Sequence, residues 1–269
     1  IQYSIIFLLI IIIAFLFPQG KTLKYAYQIN DVTGSPIIAP FTYPILKSEE
    51  KLELDLEEKK RSIPFVFNRN IKRVDNQILA IEDFFTFIEK LRSTRMRLEE
   101  SVRLVYERRY HKQYEKAKSE FLTDSTNYSI LNSNFKRTYP FVLGKKGWSK
   151  YVELDENGKS AGSIKKDKEL VLKICRNRWS EGIYDIKIGE ISSSEVTINQ
   201  GELPDLASPN DFNDLEAAWI KAKKELLKST KEDDIFRELG YDIIVEFMKP
   251  NLLYDLDITE KRQKESISK

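Results

Sequence analysis

The chain has 269 residues, enough to bury one large hydrophobic core or two small ones, and its 44 basic and 42 acidic residues leave a formal net charge of +2. This balance favours no polyanionic partner, so we expect no nucleic-acid binding. With one cysteine, Cys175, and one histidine, His111, the chain can form neither an internal disulfide nor a metal site built from several histidines.

The chain begins with an uncharged segment that is rich in isoleucine, leucine and phenylalanine, and the first charged residue is Lys21. A membrane-spanning helix needs about 20 such residues. We therefore expect residues 1–20 to form a transmembrane anchor that lacks its first turn, with residues 1–17 in contact with lipid. The alternative is the apolar part of a cleaved signal peptide, but the sequence Phe-Pro-Gln-Gly that follows lacks the small residues of a cleavage site.

Three prolines at intervals of four residues, Pro36, Pro40 and Pro44, follow the apolar segment in the stretch SPIIAPFTYPI. Each proline fixes its own φ angle and disfavours helix at the residue before it. The stretch is therefore predicted to be an extended, stiff connection. Residues 47–61 are then rich in charge and in strong helix formers, so we predict a surface helix that ends before Pro64.

A long helical stretch is predicted from Asn70 to about Phe121. It carries apolar residues at heptad spacing: Ile81, Phe84, Ile88, Leu91, Leu98, Val102 and Val105. One interpretation is an amphipathic helix or helical hairpin packed on its own domain, and the other is a coiled coil that forms a homodimer. We favour the first, because additional aromatic residues widen the apolar stripe beyond a two-residue seam.

A polar linker is predicted over Asp124–Arg137, and alternating apolar and polar residues after it predict a small antiparallel sheet. Asn157-Gly158 is typical of the type I′ turn of a β-hairpin. Three further stretches alternate in the same way: ELVLKIC, YDIKIGEI and SEVTINQG. We therefore assign residues 138–203 to a β-rich region.

Helical patterns return in residues 211–269, where Asp211 or Asn213 is a plausible N-cap and a second helix should stop before Pro250. The charged helix at the C-terminus reaches the last residue without a cap, so we expect this end to be incomplete. Together with the helical region 47–121, these elements predict an α+β fold. In it, long amphipathic helices follow an N-terminal transmembrane helix and pack with a small antiparallel sheet.

We find no catalytic, cofactor-binding or metal-binding residues to propose in this chain. The stretch LGKKGW lacks the spacing of a phosphate-binding loop, and no Gly-x-Ser-x-Gly turn is present. Tyr106, Tyr110 and Tyr114 alternate with basic residues, a pattern that can bind nucleic acid. Tyrosines four apart on a helix also form a packing stripe, which is the interpretation we favour.

Four motifs, taken in order, resemble the extracytoplasmic domain of the bacterial seven-transmembrane HD phosphohydrolases, which are cyclic di-AMP phosphodiesterases. They are GSPIIAPFTY after the apolar segment, RSIPFVFNRN with Pro64, RWSEGIYD with Gly182, and KPNLLYDLDITEKRQKESI. The last motif supplies Pro250, Asn251 and Tyr254, followed by Asp255, Thr259 and Arg262. The resemblance covers the chain in order, with a poorly matched middle.

The resemblance implies a longer parent protein that crosses the membrane several more times and ends in a cytoplasmic HD domain. That domain would hydrolyse a cyclic dinucleotide at a divalent metal pair held by histidine and aspartate, none of which matches a position here. Residues 21–269 would be a sensory domain outside the bacterial cytoplasmic membrane, responding to an unidentified ligand or protein. Candidate signal-coupling residues are Pro36, Pro40, Pro44, Pro64, Gly182, Pro250, Asn251 and Tyr254.

A different class of function also fits the sequence. The chain would then be a single-pass membrane-anchored coiled-coil protein that scaffolds an envelope complex through the long helix. The two hypotheses differ in whether that helix pairs with another chain or packs inside its own domain.

Overall fold

The structure is a computed structural model, and it describes Phe7 and residues 47–144, 146–152, 164–201, 204–232 and 235–267. The chain divides into two units, Ile1–Lys47 and Ser48–Lys269, and the second contains all the described helices and strands except the helical Phe7. Apart from Phe7, the predicted anchor lies outside the described residues, as do Pro36, Pro40 and Pro44, so these stay predictions. No helix among the described residues combines the length and apolarity needed to cross a bilayer.

Helices make up most of the described part of the second unit. They are α1 (Glu49–Ser62), α2 (Ile71–Glu107), α3 (Tyr114–Thr138), α4 (Lys146–Val152), α5 (Ile164–Glu181), α6 (Leu215–Ser229), α7 (Phe236–Phe247) and α8 (Leu256–Ile267). Short 3-10 helices lie at Pro140–Val142, Ile188–Glu190 and Pro209–Asp211. The described strands are β1 (Phe65–Arg69), β2 (Ile183–Tyr184), β3 (Val196–Asn199), β4 (Pro204–Ala207), β5 (Asn213–Asp214) and β6 (Leu252–Tyr254). The fold is α+β, as predicted.

The strands form one mixed sheet in the order β4-β3-β1-β6-β2-β5. The predicted antiparallel arrangement is wrong for several pairs, because β1 runs parallel to β3 and β2 runs parallel to both β5 and β6. Long connections separate these strands in the chain, and such connections allow parallel pairing that a tight hairpin cannot give. β1 and β6, the first and last described strands, are antiparallel neighbours.

α2 and α3 form a helical hairpin. Phe84 near the start of α2 contacts Phe135 near the end of α3, and Ser101 donates a hydrogen bond to Asp124. The predicted polar linker over residues 124–137 is therefore wrong, since this stretch belongs to α3. Thr126 shows how polar residues are accommodated there, because its hydroxyl donates to the carbonyl of Leu122 one turn earlier.

The predicted β-rich region 138–203 is mostly helical where it is described. The stretch ELVLKIC lies within α5, where Val171, Ile174 and Cys175 are buried. Five of the seven positions of this stretch are apolar, and periodicity alone does not assign such a nearly continuous run to a strand or to a helix. The stretch SEVTINQG does contain a strand, β3, whereas Asn157-Gly158 lies outside the described residues.

The described part of the unit contains two hydrophobic clusters. The larger one lies among the helices and is rich in aromatic rings, several of which surround Phe84. The smaller one belongs to the sheet and contains Phe67, Tyr184, Ile198 and Leu252. The sheet cluster joins residues that are far apart in the sequence, so it fixes the chain where β1, β2, β3 and β6 meet.

Candidate functional site

The predicted coupling residues that the structure describes gather around β6. We call β1, β2 and β6, together with Gly182 and Asn251, the junction. Phe67 pairs with Tyr254 and Arg69 with Leu252 across the β1–β6 ladder, while Tyr184 of β2 pairs with Leu252 on the other side. The junction therefore connects β1, near the start of the unit, with β6, near its end.

Asn251 is the most highly bonded residue of the junction and is only 2% exposed. Its side-chain Oδ1 accepts from the backbone N–H of Ile183 at 2.8 Å, and its Nδ2 donates to the carbonyl of Trp179 at 2.8 Å. Its backbone N–H donates to the Ile183 carbonyl at 3.0 Å, and its own carbonyl accepts from Asn70 at 2.8 Å. Because Asn70 is the N-cap of α2, one buried residue connects the end of α5 and the start of β2 to the start of α2.

Gly182 makes the tight turn from α5 into β2. Its φ of +96° lies in the left-handed region that side chains rarely adopt. A Cβ atom at this position would lie 2.7 Å from Phe212 Cδ1 and 2.8 Å from Leu252 Cδ1. Both the backbone angle and the close packing therefore require glycine, and this packing holds β2 against β6.

Pro64, Pro250 and Tyr254 complete the described set. α1 ends at Ser62, and Ile63 adopts an extended conformation before Pro64, as predicted. Tyr254 stacks on Phe65 of β1 with ring centroids 5.2 Å apart. The ring contact joins the start of β1 to the end of β6.

Lys249, which precedes Pro250, is hydrogen-bonded through both its backbone N–H and its backbone carbonyl. The backbone N–H of Lys249 donates to Gln77 Oε1 at 3.0 Å, and its carbonyl accepts from Trp179 Nε1 at 3.1 Å. Neither Gln77 nor Trp179 was singled out from the sequence. Nothing in the local pattern marks either residue, because their role depends on contacts between distant parts of the chain.

α8 is bonded directly to β1. The backbone N–H of Val66 donates to Thr259 Oγ1 at 3.1 Å, and the N–H of Asp255 donates to the Val66 carbonyl at 2.8 Å. Asn68 Nδ2 also donates to Asp255 Oδ2 at 2.7 Å. Asp255 and Thr259 belong to the family motif, but the motif alone predicted no contact for either residue. α8 further contacts α1, so the helices on either side of β1 and β6 lie together.

The junction has the character of a structural connector. Burial raises the pKa of the Tyr184 phenol above its usual range, and the nearby Asp211 carboxylate adds to that effect, so this hydroxyl stays protonated. Among the described residues, no group of three or more histidine, cysteine, aspartate or glutamate side chains could hold a metal ion. What the arrangement can do is hold four chain segments in a fixed register.

The basic segment that contains three tyrosines spans the end of α2, with Tyr106, the turn, with Tyr110, and the start of α3, with Tyr114. Tyr106 is 79% exposed and Tyr110 is 91% exposed. The predicted packing stripe is therefore wrong for these two residues, since neither ring packs into the domain. The distance from the rest of the core explains this exposure, because the turn lies at the end of the hairpin away from Phe84.

A family model described as 7TM-HD extracellular matches residues 28–269. The chain belongs to this family. The match confirms the resemblance seen in the sequence motifs, and it includes every described residue of the junction. Membership in the 7TM-HD extracellular family implies a membrane-anchored protein with this domain outside the cytoplasm. No curated protein and no solved structure matches the chain.

Proposed function

We propose that this chain is the signal-input domain of a membrane-bound HD-family phosphodiesterase that hydrolyses a cyclic dinucleotide, with cyclic di-AMP as the substrate. The catalytic HD domain and its divalent metal pair would lie outside these 269 residues, and the input domain would lie on the outer side of the bacterial cytoplasmic membrane. Membership in the 7TM-HD extracellular family supports the proposal. The single histidine also fits it, because an HD metal centre needs several.

The observation that carries the proposal is the convergence of both ends of the domain at the junction. β1 follows α1 and pairs with β6, which leads into α8, and α8 contacts both α1 and β1. Strands paired in register and helices packed together move as one body. A signal that shifts the domain between two arrangements would therefore move the N-terminal and C-terminal segments together, which is what a domain between membrane helices needs.

The test is hydrolysis of cyclic di-AMP by the full-length protein in lipid nanodiscs with a divalent metal ion. The informative variant is Asn251→Ala, which removes two side-chain bonds of the junction, and the matched control is Asn127→Ala on the exposed face of α3. We expect N251A to change the hydrolysis rate by roughly fivefold or more, since coupling between distant sites usually amounts to at least that factor. N127A should leave the rate unchanged.

Two results would contradict the proposal. One is a full-length protein that hydrolyses no cyclic dinucleotide. The other is a folded N251A protein with the wild-type rate. If N251A does not fold, Tyr254→Ala serves as the second variant, because it removes only the ring contacts of a partly exposed side chain with Phe65 and Phe67.

The scaffold hypothesis requires a free seam on the long helix. In the structure, Ile81, Phe84, Ile88 and Leu91 are buried inside the domain, so the first half of that seam is already occupied. Val102, in the second half, is exposed. This arrangement favours the input domain over the scaffold, while the homodimer stays a prediction that sedimentation of the purified protein would check.

A further inference from the structure

A cavity of about 510 Å³ opens between the α2–α3 hairpin, the 3-10 helix at Pro140–Val142, and α4. Its volume lies within the usual range for small-molecule sites, about 300–1,000 Å³. The described lining residues are mostly apolar or aromatic, and the buried ones are Leu91, Phe135, Val142, Trp148 and Val152. Such a lining suits the apolar body of an organic molecule.

Trp148 contributes the largest aromatic side chain to the described lining. The residue is 3% exposed, and the edge-on rings of Phe84, Phe141 and Tyr151 surround its indole, with centroids 5.7 to 5.9 Å away. Its Nε1 atom is buried, so the indole offers the cavity an aromatic surface and not an accessible donor.

The outer part of the cavity carries a positive charge. Lys136 lines it, is exposed, and forms no ion pair with a described residue. Asn132 adds an amide, and none of the described lining residues is acidic. An anionic group would therefore find an unopposed cation at this side of the cavity, whereas a cationic ligand would be repelled.

We propose that the cavity binds a small amphipathic organic anion. Its apolar or aromatic body packs on Phe135, Val142 and the indole of Trp148, and its anionic group lies beside Lys136. The proposal rests on the proposed function, because it names the class of ligand to which the input domain responds.

The cavity is connected to the junction by aromatic contacts. Trp148 touches Phe141, and Phe141 touches Phe247, the last residue of α7, with centroids 6.0 Å apart. Asn251 follows Phe247 by four residues. A ligand that reorients Trp148 would therefore act on the aromatic cluster that positions the end of α7, immediately before the junction.

The binding test uses ¹⁹F NMR of the full chain labelled with 5-fluorotryptophan in lipid nanodiscs. The chain has three tryptophans, so it gives three signals, which single Trp→Phe variants assign. The probes are 4-phenylbutyrate and its neutral amide, which share a body and differ in charge. We expect 4-phenylbutyrate to shift the Trp148 signal saturably, and the amide to bind about two- to fivefold more weakly, the effect of one solvent-exposed ion pair.

Matched variants separate the charged contact from the aromatic contact. Lys136→Gln should lower the affinity for 4-phenylbutyrate to that for the amide, while Lys118→Gln, on α3 but outside the cavity, should leave it unchanged. Calorimetry should show about two- to tenfold weaker binding for Trp148→Phe, the loss of part of the aromatic contact. Trp219→Phe, which also removes a buried unpartnered Nε1–H but lies outside this cavity lining, should bind normally.

The proposal would be overturned if neither probe shifts the Trp148 signal saturably, if a different tryptophan responds instead, or if K136Q binds 4-phenylbutyrate like the wild type. If W148F fails to fold, the K136Q and K118Q pair still decides. This assay measures ligand binding and not hydrolysis. A negative binding result therefore does not contradict the proposed phosphodiesterase function, and a negative hydrolysis result does not contradict ligand binding.

Discussion

Substitution of Gly182 by alanine tests how tightly the junction is built. The added Cβ would lie 2.7 Å from Phe212 Cδ1 and 2.8 Å from Leu252 Cδ1, closer than real Cβ contacts. The backbone φ of +96° would also be strained for alanine. We expect the strained angle to cost about 1–3 kcal/mol and the overpacking about 1–3 kcal/mol, or about 2–6 kcal/mol together. That is a large part of the stability of a typical domain, about 5–15 kcal/mol.

The assay is urea unfolding of the purified chain in detergent, followed by circular dichroism. Gly201→Ala is the matched control, because Gly201 has a φ of +132° but, apart from its chain neighbours, no atom of the described residues within 4 Å of its Cβ position. Its loss should be the backbone part alone. Gly189→Ala, which has neither a positive φ nor a close neighbour, should change the stability little. If G182A loses no more stability than G201A, the packing of Gly182 against β6 is not what holds the junction.

Three further changes test other parts of the structure. Thr259→Val removes the acceptor of the buried Val66 N–H and should lower the free energy of unfolding by about 1–3 kcal/mol in the same assay, whereas Thr259→Ser should largely keep it. Asp214→Ala removes the N-cap of α6, whose carboxylate accepts from Ala217 at 2.8 Å, and should cost about 0.5–2 kcal/mol; an equal loss without any change in helix content would contradict the capping role. Burial raises the pKa of the Cys175 thiol, so Ellman's reagent should not react with it at pH 8 until urea unfolds the chain. The raised pKa of the thiol stabilises the fold fully below its ordinary pKa of 9.0, and this contribution declines as the pH rises above that value. Rapid labelling of the native chain at pH 8 would show that Cys175 is not buried.

Local signals predicted several helix ends correctly. α1 ends before Pro64 and α7 ends before Pro250, because proline restricts the residue that precedes it whatever the rest of the fold does. The predicted N-cap of α6 was wrong by one or three residues. Asp214 is the cap, and Asp211 instead closes a capping box with Ser208 in the preceding 3-10 turn. Both carboxylates suit a cap, and only the path of the chain decides between them.

The central part of the chain could not be predicted because its pattern was compatible with two structures. The apolar residues of ELVLKIC form a nearly continuous run, which fits a strand buried on both faces as well as a helix, and in the fold α5 packs against α2, α6 and α7. The junction residues Gly182, Asn251 and Tyr254 were found through the family motifs, but not their contacts, which join segments about 70 residues apart or more. The cavity had no local signal, because Leu91, Phe135 and Trp148 come from three different helices.

The measurement that tests the central claim most directly is the phosphodiesterase rate of the full-length protein with β1 and β6 joined by a disulfide. Asn68 and Leu253 are paired across the antiparallel ladder, so Asn68→Cys with Leu253→Cys places the two sulfurs within bonding reach. Because β1 and β6 move as one body, the oxidised double variant should hydrolyse cyclic di-AMP at the rate of its reduced form, and each single variant should be insensitive to oxidation and reduction. A rate that changes on oxidation of the double variant and recovers on reduction would contradict the claim that β1 and β6 move together.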